Sequence, residues 1–176
     1  MKSYTSYLQK KLRSHKPKLE VDSNVIRFII ETTKGSPSFE TGGILMGVDS
    51  EPLTVKITHA SLPGPKAFHS KTKFLRDTEY CKKVLQEKYE KYGVDYVGEW
   101  HSHVLPIRGM SGGDFNTIVS IMSDPCYDFN AFACIVSVLY NNEVELKGYI
   151  SHRDYVYPVK IDIVVNLEPD TGFRQE

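Results

Sequence analysis

Apolar residues recur at helical spacing from Val25 through Ile26 and Ile29 to Ile30, behind Asp22 and Ser23, and Gly35 stops the pattern. This predicts a first helix. Two short apolar or β-branched runs, Gly42 to Val48 and Leu53 to Ala60, flank Asp49-Ser50-Glu51-Pro52 and predict two strands with a turn between them. Pro63, Gly64 and Pro65 open a loop. Asp77 is placed to cap a second helix with Tyr80, Val84, Leu85 and Tyr92 on its apolar face and Gly93 as its stop signal. Its other face carries Lys82, Lys83, Glu87, Lys88, Glu90 and Lys91, the pattern of a solvated surface.

Val94 to His103 predicts a strand. Ser111 then caps a third helix carrying Phe115, Ile118, Val119 and Met122, which Asp124-Pro125 ends. Ala131 to Tyr140, Val144 to Ile150 and Tyr155 to Val165 predict the remaining strands, the first pair joined by a turn at Asn141-Asn142. Interleaved helices and strands imply an α/β (α+β) fold. No repeat or linker divides the chain, so one domain is expected, residues 19–165, between a basic N-terminal arm, 1–18, and a polar C-terminal tail, 166–176.

Composition narrows the function classes. The 22 basic and 22 acidic residues balance, so no global field draws the protein to nucleic acid or to a membrane surface. The local exception is the arm, where Lys2, Lys10, Lys11, Arg13, Lys16 and Lys18 precede the first acid, Glu20. Three cysteines, Cys81, Cys126 and Cys134, cannot all pair and sit at no metal-ligand spacing, which suits a reducing compartment. With no signal-like apolar region and no run long enough to span a bilayer, a soluble cytoplasmic protein is expected.

The chemistry lies between residues 99 and 114. Side chains alternate along a strand, so His101 and His103 point to one face and can grip one ion. Asp114, eleven residues beyond His103, falls in the first turn of the third helix, where the helix dipole favours a carboxylate. Two imidazoles and a carboxylate form a three-ligand set that leaves a fourth zinc position open.

Each piece alone has a bland explanation. A single His-x-His is commonly surface or core, and Ser111 to Asp114 has the spacing of a capping box, although that motif normally ends in Glu or Gln. Together, two His, a Ser and an Asp at fixed offsets arise by accident in roughly one chain in a thousand, so the joint pattern points to a site. His15, His59, His69 and His152 lack ligand spacing and read as surface or hydrogen-bonded residues. A zinc deaminase would need Pro-Cys-x-x-Cys, but Phe129 stands where the second cysteine should follow Pro125-Cys126. The His-Glu-x-x-His helix of the zincins is absent.

His101-Ser102-His103, seven residues, Ser111, two residues and Asp114 resemble the JAMM motif of the JAB/MPN metalloproteases. Glu40, followed by Thr41-Gly42-Gly43-Ile44-Leu45-Met46-Gly47, resembles that family's upstream glutamate and Gly-Gly strand, and Gly98-Glu99-Trp100 resembles its prokaryotic branch. Val104 and Met110 depart from the pattern where many members carry Pro.

The resemblance, from about Leu19 to about Val165, implies a cytidine-deaminase-like fold with a central mixed sheet flanked by helices. It implies one Zn2+ per chain on His101, His103 and Asp114, Glu40 as the base that takes a proton from water, and Ser111 as the donor to the developing oxyanion. Glu99 shares strand parity with both histidines, so it rivals Glu40 as base; otherwise it orients a histidine or is structural.

Members of the family cleave amide bonds after the C-terminal tail of ubiquitin or a ubiquitin-like protein. Prokaryotic ones accompany activating and conjugating enzymes in anti-phage operons, and others trim sulfur-carrier proteins. The implied partner is therefore a ubiquitin-like tail and its conjugates. The loop from Ala60 to Lys73 and the segment from His103 to Ser111 are the expected walls of its groove. The competing class is a non-catalytic binding scaffold of the same fold.

Overall fold

The computed structural model describes residues 16–50, 53–104, 107–153 and 155–165. In chain order its elements are β1 (Lys18–Asp22), α1 (Ser23–Gly35), β2 (Gly42–Asp49), β3 (Thr54–Ala60), β4 (Phe68–His69) and β5 (Phe74–Leu75). They continue with α2 (Thr78–Tyr92), β6 (Asp95–His103), α3 (Gly112–Met122), β7 (Phe132–Tyr140), β8 (Glu143–His152), β9 (Tyr155–Val159) and β10 (Ile161–Val164). Residues 1–15 of the expected arm, and all of the expected tail, lie outside the described residues. Among the described residues, no helix is long and apolar enough to cross a membrane.

The fold is mixed α/β: an eight-stranded mixed sheet, ordered β10-β1-β3-β2-β6-β7-β8-β9, flanked by three helices, with β4 and β5 as a separate hairpin. The predicted helices are present. Asp77 caps α2 by accepting from the Tyr80 backbone N–H at 3.2 Å, and Gly93 ends it in the left-handed region at φ 65°. Asn141 and Asn142 both take positive φ, 49° and 65°, as a tight hairpin with a right-handed twist demands.

Four expectations need correction. β1 was not foreseen, because Leu19 and Val21 alone give too short an alternation to stand out; β3 and β10 stabilise it by pairing on either side. β4 and β5, two residues each, carry no readable periodicity and lie where the pattern shows a loop and unassigned chain. The third is the run Tyr155 to Val165, which is two strands rather than one. Finally, Tyr92 and Phe115, expected on apolar faces, are half exposed, and the Lys88 and Lys91 ammonium groups lie over the Tyr92 ring.

The break between β9 and β10 reveals the shape of the sheet. β9 pairs with β8 at one end of the strand order, and β10 pairs with β1 at the other. Only Lys160 separates them, so their ends lie within about 8 Å of each other. The sheet must curl until its edges meet, which shelters backbone groups that a flat sheet would leave open. Gly148 of β8 sits at this seam: a Cβ there would lie 2.8 Å from both the Leu19 and Ile161 side chains.

Two apolar clusters fill the two faces. Val25 and Ile29 of α1 pack with Leu19, Val55, Ile57, Trp100, Ala133 and Ile135. Cys81 of α2 and Ile118 of α3 pack with Ile44, Met46, Tyr96, Phe132 and Val136 on the other side. The register against β2 skips Val97, Leu45 facing Gly98 and Met46 facing Tyr96. This bulge brings Tyr96 onto the same face as Glu99, with its hydroxyl donating to Glu99 Oε1 at 2.7 Å.

Gly148→Ala should destabilise the fold by about 1–3 kcal/mol, since Leu19 and Ile161 must move to admit a methyl group at the seam. Urea unfolding measures it; an unchanged midpoint would show that the seam is loosely packed.

Candidate metal centre

β6 is parallel to β7, and the connection between them runs through α3, so the carboxyl end of β6 and the amino end of α3 meet at one rim of the sheet. Such rims are where α/β sheets commonly bind ligands. His101 and His103 lie at that end of β6, and Asp114 lies in the first turn of α3.

The three side chains converge. His101 Nε2 and His103 Nε2 are 3.1 Å apart; Asp114 Oδ1 is 3.3 Å from the first and Oδ2 is 3.2 Å from the second. A tetrahedral zinc with bonds of about 2.0 Å needs ligand atoms about 3.3 Å apart; each imidazole stands at about that spacing from the other and from its nearer carboxylate oxygen, and with one ligand atom taken from each residue all three lie within 4.8 Å of one another. The donor set also favours positive charge. Burial works against a charged carboxylate at Asp114, but hydrogen bonds from both imidazoles and from Ser111 hold it well below the usual carboxylate range. Burial likewise disfavours a cationic His103, and the facing Asp114 outweighs it, so the net shift is upward.

Capping box and ligand set coexist. Ser111 Oγ accepts from the Asp114 backbone N–H at 3.2 Å, and Asp114 Oδ2 accepts from the Ser111 backbone N–H at 2.7 Å. The shorter side chain of Asp completes the box and still presents both oxygens to the histidines. Ser111 Oγ thus accepts in the cap, and its hydroxyl also helps to hold the Asp114 carboxylate.

Glu40, Glu99, His101, Ser111 and Asp114 line one pocket of about 510 Å³ with Phe74, Leu75, Arg76, Thr117 and Ile118. Glu40 is partly buried; burial raises its carboxyl above the ordinary value, the imidazoles of His103 and His101 oppose that, and Asp114 adds to it. Its backbone is tightly placed. The next residue, Thr41, donates to Ser102 Oγ at 2.9 Å and accepts from the Ser102 N–H at 2.7 Å, which ties the Glu40 segment to the residue between the two histidines. Gly42 and Gly43 are required there: a Cβ would lie 2.3 Å from Trp100 O and 2.2 Å from Ser61 O respectively.

Glu99 is on the histidine face, as parity predicts, but its described partners are Arg76, in an ion pair, and Tyr96. Burial works against the charge on Arg76, yet Glu99 more than offsets it and keeps the guanidinium protonated. Ser102, Arg76 and His69, which donates from Nδ1 to the Glu40 carbonyl at 2.8 Å, form contacts that spacing gave no means of finding. His69 and His152, whose Nδ1 lies 2.6 Å from Asn130 O, are hydrogen-bonded as expected, and His15 lies outside the described residues.

No family model matches the sequence. Over 106 residues the chain is 33% identical to a protein of Enterobacter hormaechei subsp. hoffmannii (strain UCI 50) described as a CD-NTase/cGAS isopeptidase. The match spans 60% of this chain and 58% of that relative, little more than half of its length. Among solved structures, the solution structure of protein DSY2949 from Desulfitobacterium hafniense superposes with a TM-score of 0.61, covering 85% of this chain and 94% of that one. At 16% identity that likeness establishes the fold alone.

Two outcomes are expected from this geometry. Wild type should bind about one divalent ion per chain by calorimetric titration, and His103→Ala should bind at least about tenfold more weakly; equal binding would place the ion elsewhere. Arg76→Met, which strands a half-buried Glu99, should lower stability by about 1–3 kcal/mol in urea, whereas an unchanged midpoint would mean that the pair is not structural.

Proposed function

We propose that this chain is a cytoplasmic, zinc-dependent isopeptidase of the JAMM type, which releases the C-terminal tail of one protein from a lysine of another. The convergence of His101, His103 and Asp114, with His101 and Asp114 lining the same pocket as Glu40, carries the reading. Similarity to a relative described as a CD-NTase/cGAS isopeptidase supports the choice of bond.

His101 Nε2, His103 Nε2 and a carboxylate oxygen of Asp114 would hold the ion. When bound, zinc supplies Lewis acidity, polarising a carbonyl and making water more acidic near neutral pH. Glu40 takes the proton from the attacking water and delivers it to the leaving lysine amine. Its partial burial suits a group that must both accept and return a proton. Ser111, whose Oγ lone pair serves the helix cap, donates its hydroxyl proton toward the carbonyl oxygen as negative charge develops there. Glu99 is committed to Arg76 and Tyr96, which favours Glu40 as the base and gives Glu99 a structural role.

The run from Thr72 to Arg76, which includes β5, borders the pocket, and an extended tail laid along it would gain main-chain hydrogen bonds while side-chain pockets discriminate. The resemblance favours a ubiquitin-like tail, and the relative's description, a CD-NTase/cGAS isopeptidase, makes a CD-NTase conjugate the second candidate. In either case the residue next to the scissile bond must be small to reach the ligand cluster.

Glu40→Gln should keep the metal and lose most activity, at least about a hundredfold, because an amide cannot take up the proton; Glu99→Gln should lose less. Reversed effects would make Glu99 the base. Activity is read with a ubiquitin-like protein and a CD-NTase, each joined through its tail to several unrelated acceptors, and with a bulky residue placed before the scissile bond. Turnover of one tail regardless of acceptor, abolished by the bulky residue, is expected. Strong dependence on the acceptor would overturn tail recognition, and a metal-loaded chain that cleaves neither would favour the scaffold reading.

A further inference from the structure

The β4–β5 hairpin is more than a wall of the pocket, because it holds the Glu40 segment at three points. The Glu40 backbone N–H donates to Ser70 O at 2.8 Å, and the Glu40 carbonyl accepts from His69 Nδ1 at 2.8 Å. The Phe74 ring covers Gly42, where a Cβ would lie 2.8 Å from its Cε1. His69 and Phe74 are register partners across the hairpin, with ring centroids 5.5 Å apart and planes inclined at 38°. The imidazole that grips Glu40 thus rests on a side chain that lines the pocket.

We propose that His69 is the positioning residue for Glu40: its Nδ1–H fixes the Glu40 peptide, and Phe74 fixes His69, so a tail packed along β5 sets where the Glu40 carboxylate stands. The proposal rests on the reading of Glu40 as the proton carrier.

The chemistry of the contact favours a constant role. A carbonyl can only accept, so Nδ1 must carry a proton. Protonating the ring adds a hydrogen at Nε2 and leaves Nδ1–H in place, so this grip persists whether His69 is neutral or charged. The opposite side of the segment is equally fixed, Thr41 being bonded twice to Ser102. With Ser102 holding Thr41 on the metal-bearing strand and Ser70 holding the Glu40 N–H on the hairpin, loss of the His69 contact releases the Glu40 carbonyl alone, which lets that peptide tilt while the candidate ligands stay in place.

The test uses the full chain loaded with zinc and, separately, hydrogen exchange of the metal-free protein. His69→Phe keeps a ring against Phe74 and removes the donor, whereas His69→Asn keeps a donor near the position of Nδ1. His69→Phe should lower kcat about tenfold, leave KM within about twofold and keep full metal content, as expected for a misplaced proton carrier with intact substrate binding. Amide exchange at Glu40 and Thr41 should quicken. His69→Asn should restore most of both, with a pH profile parallel to that of wild type. Phe74→Ala, which leaves the donor but removes its support, should fall between.

Unchanged exchange in His69→Phe overturns the proposal, as does a loss confined to KM or a failure of Asn to do better than Phe. Faster exchange with an unchanged kcat overturns it too; if Glu40→Gln is then also fully active, the fault lies in the role given to Glu40.

Discussion

The carboxylate of Asp114 is the constraint around which the site is built. It completes the cap of α3 through the Ser111 N–H and at the same time faces both imidazoles of β6. A largely buried carboxylate is costly unless it is hydrogen-bonded, and here the backbone N–H at the helix end and two rings supply its partners. The same contacts join α3 to β6 at the rim of the sheet. Removal of Asp114 would therefore loosen a helix end and take away a candidate metal ligand together.

Around this centre the polar groups fall into two networks with different tasks. Glu40 is kept partly buried beside the ligands, and its backbone is held by Ser70, His69 and, through Thr41, Ser102. Glu99 is neutralised by Arg76 and hydrogen-bonded by Tyr96, which only the bulge at Val97 brings to its side of the strand. Two glutamates near one candidate metal centre are thus given different surroundings: among the described residues no ion pair with Lys or Arg is formed at Glu40, whereas Glu99 is paired with Arg76. This difference is the ground for proposing Glu40 rather than Glu99 as the base, a choice that mutagenesis can check.

The curled sheet sets the frame for both. β9 and β10 close its two ends across one residue, and α1 packs into one face while α2 and α3 pack on the other. The glycines at the close approaches follow from this. Gly42 and Gly43 let β2 lie against Trp100 and Ser61, and Gly148 lets β8 meet β1 and β10. Core burial around Trp100 and Ile135, both almost wholly enclosed, backs the strand that carries the histidines, so these two candidate ligands stand on a well-packed element.

Much of this was legible in the chain before any tertiary structure. The helices, the asparagine hairpin, and the shared face of His101 and His103 with Asp114 one helix-start away all depend on residues within a few positions of one another. Local rules of alternation, capping and turn chemistry therefore suffice for them. The sequence likewise determined the type of fold and the chemistry of the donor set. What only the tertiary structure decided are contacts between distant segments: His69 with Glu40, 29 residues apart, Thr41 with Ser102, 61 apart, and the break at Lys160 that sends β9 and β10 to opposite ends of the sheet. Short strands such as β1, β4 and β5 belong with these, because their stability comes from the partners they pair with rather than from any periodicity of their own. Loop closure and sheet curvature set those partnerships, and neither leaves a mark in the spacing of residues along the chain.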